Sequence, residues 1–472
     1  MIAASGRDHY TLTLELCDAI EQVCAEADLA YDGSELRFAV ERELYTLLIN
    51  APGLRQGAPL TAGTALESRA LERVIGERVP VGSSPASAVR WAVAPSVAPR
   101  LAGRPGPRPI AFVINVPKFL RFLEPVLAHL DPADVVLLAM TPEVSAELRR
   151  SSKHPWVPLH QDWTLPRPAR GKLGADLRER PYVAAYFERF RRLFTKLGVR
   201  AAVVIEGNSL LAEAANRAAR AAGVPCACVQ QGWAPIVHTG FRNMSYDAML
   251  VWGQGFADEL APSSPQQRFV VTGNPSLSRL EGASALAADV GGRPAAAVFL
   301  QGTSELISAE HDRALQRLAT DLADSVEESV IIVRPHPAVP LEPAALEALR
   351  AHPRILLADA QTHPLRDVLH AASVSVSIYS STLLESVALG RPSVVFNPTD
   401  LPRYSPDLEA LGAGIERRTI AEVDREVAEI LRDPTRRAAF GPGVESVQKR
   451  YFAGVPDDPG ARIVEAIEAL TA

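Results

Sequence analysis

The sequence predicts an α/β protein made of two doubly wound units, each a parallel sheet flanked by helices, behind a helical N-terminal region. Three observations lead there. From residue 110 onward, short apolar runs of strand length alternate with longer stretches whose apolar residues recur every three or four positions. That is the pattern of βα units packing into a parallel sheet. The alternation breaks at a Gly- and Ala-rich stretch around 275–292 and resumes near 295, so one unit follows another across a hinge. Finally, 472 residues exceed what a single hydrophobic core ordinarily serves.

Taken in order, residues 12–30, 35–48 and 65–79 have amphipathic helical periodicity, and 94–109 has the Pro and Gly density of a linker. The first unit then offers strands at 110–115, 134–140, 201–207, 225–232, 246–253 and 268–273. Helices are expected at 118–130, 141–151, 184–198 and 209–223, with an irregular region before 184. The second unit offers strands at 295–301, 330–336, 354–359, 374–380 and 393–397 and helices at 308–324, 343–350, 365–372 and 383–390. A last helix, 461–470, is free to return to the first unit. The expected division is 1–105 (helical), 106–278 and 279–445 (the two doubly wound domains) and 446–472 (a helix packing back).

Composition narrows the class. Hydrophobic residues at 47% and charged residues at 22% are ordinary for a globular protein. A formal charge of −6 argues against a nucleic-acid binder, which needs a basic surface. The four cysteines, Cys17, Cys24, Cys226 and Cys228, have neither zinc-site nor redox spacing and read as reduced core thiols. No basic-then-apolar leader opens the chain, and no apolar run approaches the ~18 residues that span a bilayer. The expectation is a cytoplasmic protein, with peripheral contact at the inner face of the membrane left open.

Candidate chemistry collects where strands end. His336 follows the run VIIV through Arg334 and Pro335 and precedes Pro337. It is thereby placed at the carboxyl end of a sheet, where open α/β folds bind ligands. Of the other His-Pro histidines, His154, His352 and His363, the last two lie in polar connections. Ser380, Ser381 and Thr382 end another strand and open a helix. A helix start carries unpaired N–H groups and a positive dipole end, so with hydroxyls added it suits a phosphate. The plain alternative is an N-cap, with Glu385 closing a capping box on Thr382. Glu385 is also placed to accept hydrogen bonds from ribose hydroxyls. Gly302 and Thr303 follow the first strand of the second unit, either as a ligand-approaching turn or as a simple strand-to-helix turn. In the first unit Glu206 ends a strand, where a carboxylate is placed to deprotonate a hydroxyl. A helix-capping or solvent-facing Glu is the bland alternative. Gln231 ends the next strand, and His238 follows in a loop as a second candidate base.

The absences are equally informative. There is no strand-ending Asp-x-Asp metal motif, no P-loop, no strand-anchored G-x-G-x-x-G and no G-x-S-x-G elbow.

With these residues in view, the chain resembles the GT-B glycosyltransferases over about residues 108–440. It is most similar to bacterial sialyltransferases and capsule or lipooligosaccharide transferases that use CMP-activated sugars. His336-Pro337 matches their HP motif and Ser380-Ser381 their SS motif, which in that family hold the nucleotide phosphate. Ile205-Glu206-Gly207 matches only part of their acidic motif, because Ile205 stands where the family's usual catalytic acid is. The stretch from Gln230 to Val394 also resembles CDP-glycerol glycerophosphotransferases and UDP-N-acetylglucosamine 2-epimerases. In the former, a His often occupies the place of Gln231. The resemblance implies two Rossmann-like domains facing a cleft, and a metal-independent transfer from a nucleotide sugar, CMP-linked by preference, to a glycan or lipid-linked hydroxyl. No cofactor and no metal are expected. An epimerase, a glycerophosphotransferase and a non-catalytic binding protein are the alternatives.

Overall fold

In the computed structural model, the described residues are 9–49, 61–82, 101–160, 167–233, 241–277, 285–302, 309–336, 339, 341–359, 362–378, 380–398, 406–455 and 458–472. The chain divides into two compact units. The first comprises residues 1–231, 237–276 and 458–472, and the second 232–236 and 277–457.

The first unit opens with helices His9–Glu26, Arg37–Ile49 and Ala65–Ile75, the first two joined by a small hairpin of β1 (Ala30–Tyr31) and β2 (Ser34–Glu35). These helices pack on one another and on Leu210–Ala221, so the N-terminal region belongs to this unit and is not a separate body. Arg180, 2% exposed, ties it down through ion pairs to Glu43 at 2.6 Å and to Glu67. A seven-stranded parallel sheet follows, in the order β5-β4-β3-β6-β7-β8-β9. The strands are β3 (Ile110–Ile114), β4 (Val135–Ala139), β5 (Trp156–Pro158), β6 (Ala201–Ile205), β7 (Cys226–Val229), β8 (Ala248–Val251) and β9 (Phe269–Val271). Every residue of β3, β4, β6, β7 and β8 is buried. This is why their sequences are unbroken apolar runs, as a sheet covered on both faces requires. All four cysteines are buried free thiols. Helix Pro459–Glu468 puts Ile463, Val464 and Ile467 into this unit's core.

The second unit is a six-stranded parallel sheet, β12-β11-β10-β13-β14-β15. Its strands are β10 (Ala295–Phe299), β11 (Val330–Arg334), β12 (Ile355–Leu357), β13 (Val374–Ser377), β14 (Ser393–Phe396) and β15 (Gly414–Arg417). Buried serines lock helix Ser381–Ala388 to this sheet. Ser386 Oγ donates to Ser375 Oγ (2.8 Å), and Ser393 Oγ donates to the Leu383 carbonyl (2.8 Å). Ser377 Oγ donates to the Phe299 carbonyl of β10 (2.8 Å), so each buried hydroxyl has a partner.

The sequence reading misses two edge strands, β5 and β15. Trp156–Pro158 lies in the stretch read as irregular, and three residues of which only Val157 is buried carry no apolar run. Within the expected hinge, 278–284 lie outside the described residues and Ala285–Val290 is helical. The linker stretch lies partly outside them as well. No helix among the described residues is long and apolar enough to cross a membrane.

Candidate functional site

Two sets of strand ends carry the candidate chemistry, one in each unit. In the second unit β10 lies between β11 and β13. The residues after these three strands therefore emerge side by side, with adjacent strands ~4.8 Å apart. After β11, Arg334 is half-buried and its Nη1 donates to the His363 carbonyl (2.5 Å). His336 is exposed, and its carbonyl accepts the Val339 N–H (3.1 Å), turning the chain back immediately. The turn places Val339 over Gly302 at the end of β10. Gly302 has φ +72°, and a Cβ there would lie 2.3 Å from Val339 Cγ1. Its N–H donates to Asp312 Oδ1 (3.1 Å). The close approach that makes this position Gly is therefore to Val339 within the protein, and the N–H is engaged by Asp312, not held free for a ligand. Pro337 and Thr303 lie outside the described residues.

After β13, Ser380 caps helix Ser381–Ala388. Its Oγ accepts the Thr382 N–H (3.2 Å) and donates to Thr382 Oγ1 (2.9 Å). This corrects the expected capping box. The cap is Ser380, two residues before Thr382, so Thr382 and Glu385 do not form the reciprocal pair. Glu385 instead sits four residues on from Ser381, on the same helix face. Part of its surface is open, yet the carboxyl group is enclosed enough that desolvation pushes its pKa up to about 7. A half-protonated acid beside a helix N-terminus and three hydroxyls is suited to hydrogen-bond a diol next to an anion.

In the first unit β6 runs between β3 and β7. Glu206 follows β6 directly and takes φ +68°, a left-handed conformation that costs energy for a residue with a side chain. Its N–H donates to the Val229 carbonyl (2.9 Å), and Gly207 follows at φ +75°. The following helix is capped by Ser209, whose side chain accepts the Ala212 N–H, so Glu206 is not its cap. Burial raises the Glu206 carboxyl pKa, against the opposing pull of Lys118, whose Nζ lies 4.0 Å from Oε1. Asn115, just beyond β3, donates from Nδ2 to Ser209 Oγ (3.4 Å). Gln230 is structural, since its side-chain and main-chain oxygens accept the Trp252 main-chain N–H (3.0 Å) and indole N–H (2.8 Å). Gln231 is half-buried beyond it. His238 lies outside the described residues.

Sequence reasoning missed Asn115 and Lys118. A lone Asn after an apolar run and a Lys at a helix start become notable only once β3 is known to lie beside β6.

No family model matches the chain, and no curated protein matches it. Solved structures do. A protein from Listeria monocytogenes assigned as a UDP-N-acetylglucosamine 2-epimerase superposes with TM-score 0.53 at 13% identity, covering 77% of this chain and 96% of that one. The S. aureus MnaA complex with UDP gives 0.51 at 12%, covering 76% and 96%. The Neisseria meningitidis UDP-GlcNAc 2-epimerase bound to UDP-GlcNAc gives 0.50 at 12%, covering 76% and 99%. At such identities the likeness is one of fold: two doubly wound α/β units, as the GT-B class has. The ligands described for these proteins are UDP and UDP-GlcNAc, not CMP-sugars.

Proposed function

We propose that this protein is a nucleotide-sugar enzyme that transfers the sugar to a hydroxyl acceptor. What supports the reading is strand order, which puts Arg334 and His336 at the end of β11 on the same sheet edge as Ser380, Ser381 and a helix N-terminus after β13, with β10 between them. Cationic and hydroxyl donors around a helix start are suited to a diphosphate or phosphodiester anion. In this reading Glu385 accepts hydrogen bonds from the ribose.

In this reading Glu206 accepts the proton of the acceptor hydroxyl as its oxygen bonds to the anomeric carbon. The bond from that carbon to the phosphate oxygen breaks, and the electron pair leaves with the nucleotide. His336, Arg334 and the Ser380 and Ser381 hydroxyls offset the charge growing there, and fixed donors aimed at developing charge commonly contribute a few kcal/mol each. Because protein donors take that role, turnover is expected to persist in EDTA.

The test is a melting-temperature panel with CMP, CDP, UDP and GDP, since a ligand that binds only the folded state raises Tm. A shift with a pyrimidine nucleotide that is lost in His336→Ala supports the site. No shift with any of the four overturns it. CMP over UDP favours the sialyltransferase-like donor, and UDP over CMP the donor of the fold's neighbours. The likeness to 2-epimerases favours one second reading, epimerisation. It is distinguished by incubation without acceptor, because an epimerase converts or hydrolyses UDP-GlcNAc alone and a transferase requires the acceptor.

A further inference from the structure

We propose that the carboxyl edge of the first sheet binds a neutral, polyhydroxylated moiety, the glycan part of the acceptor, through uncharged amides grouped around Glu206. This rests on the transferase reading above and adds the substrate class to it. The motivating observation is a pair of unsatisfied amide oxygens on the two strands that flank β6. Asn115 Oδ1 beyond β3, Gln231 Oε1 beyond β7 and Asn274 Nδ2 beyond β9 are each buried with no hydrogen-bond partner among the described residues. His160 Nε2, beyond β5, is in the same state, and burial holds that imidazole below its ordinary pKa. A buried polar atom left unpaired costs about 1–3 kcal/mol. Asn115 Oδ1 and Gln231 Oε1, on the two strands flanking Glu206, argue for a partner whose hydroxyls donate to them, while Asn274 and His160 lie three strands from Glu206 on either side.

Charge narrows the partner. The residues that directly follow the strands, in sheet order, are Leu159, Met140, Asn115, Glu206, Gln230, Trp252 and Thr272. Glu206 alone is charged, and Lys118, 4.0 Å away, balances it. An anionic ligand would meet a carboxylate and find no uncommitted cation at these positions. A neutral polyol fits, because each sugar hydroxyl both donates and accepts, matching carbonyl and amino ends of Asn and Gln. Spacing agrees. Asn115, Glu206 and Gln231 stand at three neighbouring strands, β3, β6 and β7, spanning ~10 Å, about two pyranose rings.

The experiment applies the full chain, with saturating UDP or CMP, to a printed array of neutral glycans and of sialylated or phosphorylated ones. Retention of neutral glycans is expected, reduced about 10-fold or more in Asn115→Ala and Gln231→Ala, with the nucleotide-induced Tm shift unchanged. Preference for the acidic glycans, retention of none, or equal retention by both variants overturns the proposal. If a variant does not fold, the wild-type preference decides alone. A nucleotide shift without glycan retention sinks this inference and leaves the nucleotide site standing. Retention without a nucleotide shift does the reverse.

Discussion

The carboxyl edges of the two sheets are built from the same βα turns, yet they present different kinds of side chain. The second edge carries Arg334, His336 and three hydroxyls at a helix start, all groups able to donate hydrogen bonds, with Arg334 and Ser380 donating to the His363 carbonyl and Thr382 Oγ1. The first carries amides, an imidazole and one strained carboxylate with its lysine. Both edges also contain a glycine at positive φ, Gly207 and Gly302, but the neighbours that enforce it differ. Gly207 is confined by Cys228 and Tyr246 in the core, and Gly302 by Val339 on a turn. Shared topology thus gives both units the same kind of edge, while the residue ending each strand sets its chemistry.

The sharpest way to break this contrast is to remove the one carboxylate of the first edge. Glu206→Gln is expected to lower kcat by about 10²–10⁴-fold with little change in nucleotide affinity, measured by steady-state transfer and nucleotide titration. A variant within a few-fold of wild type would mean that Glu206 is not the base. On the second edge, His336→Ala should cost at least ~10²-fold in turnover and weaken nucleotide binding as well. Loss of turnover alone would separate His336 from the phosphate.

The glycines sharpen the comparison in stability. A Cβ at Gly207 would lie 2.5 Å from Cys228 Sγ and 3.0 Å from Tyr246 Cε2, with φ +75°. Gly207→Ala should therefore lower stability by about 3 kcal/mol, and Gly302→Ala, which presses on a turn able to shift, by about 1–2 kcal/mol. Thermal melts check the order, and a reversed order would mean the Val339 turn is the more rigid.

The smallest effects are in pH dependence. An ionised carboxylate is the better acceptor for ribose hydroxyls, so nucleotide affinity should strengthen as pH rises through about 7, where Glu385 titrates. Glu385→Gln should flatten that rise. In the absence of ligand the sign is opposite. A folded-state pKa above the unfolded value means that folding binds a proton, so Glu385's contribution to stability falls as pH rises from the ordinary carboxyl value of 4.5 to about 7. Lys118→Met removes the charge that holds Glu206's pKa down, and should move the acid limb of the kcat profile to higher pH. An unmoved limb would show that the lysine does not act on Glu206.

The sequence by itself determined the sheets and the second edge. Unbroken apolar runs such as 330–333 and 201–205 can be satisfied only by strands covered on both faces, and the residue types at their ends are visible as written. The strand-end positions of His336 and Ser380 were legible for that reason. Only the tertiary structure decided which strands are neighbours, and so which ends act together. Strand order placed Asn115 and Lys118 beside Glu206, across nearly a hundred residues of chain, and set β10 between β11 and β13. It also decided local choices between near-equal options, such as Ser380 over Thr382 as the cap and Val339 as the reason for Gly302. Such choices turn on a few tenths of an ångström of packing, which hydrophobic periodicity does not encode.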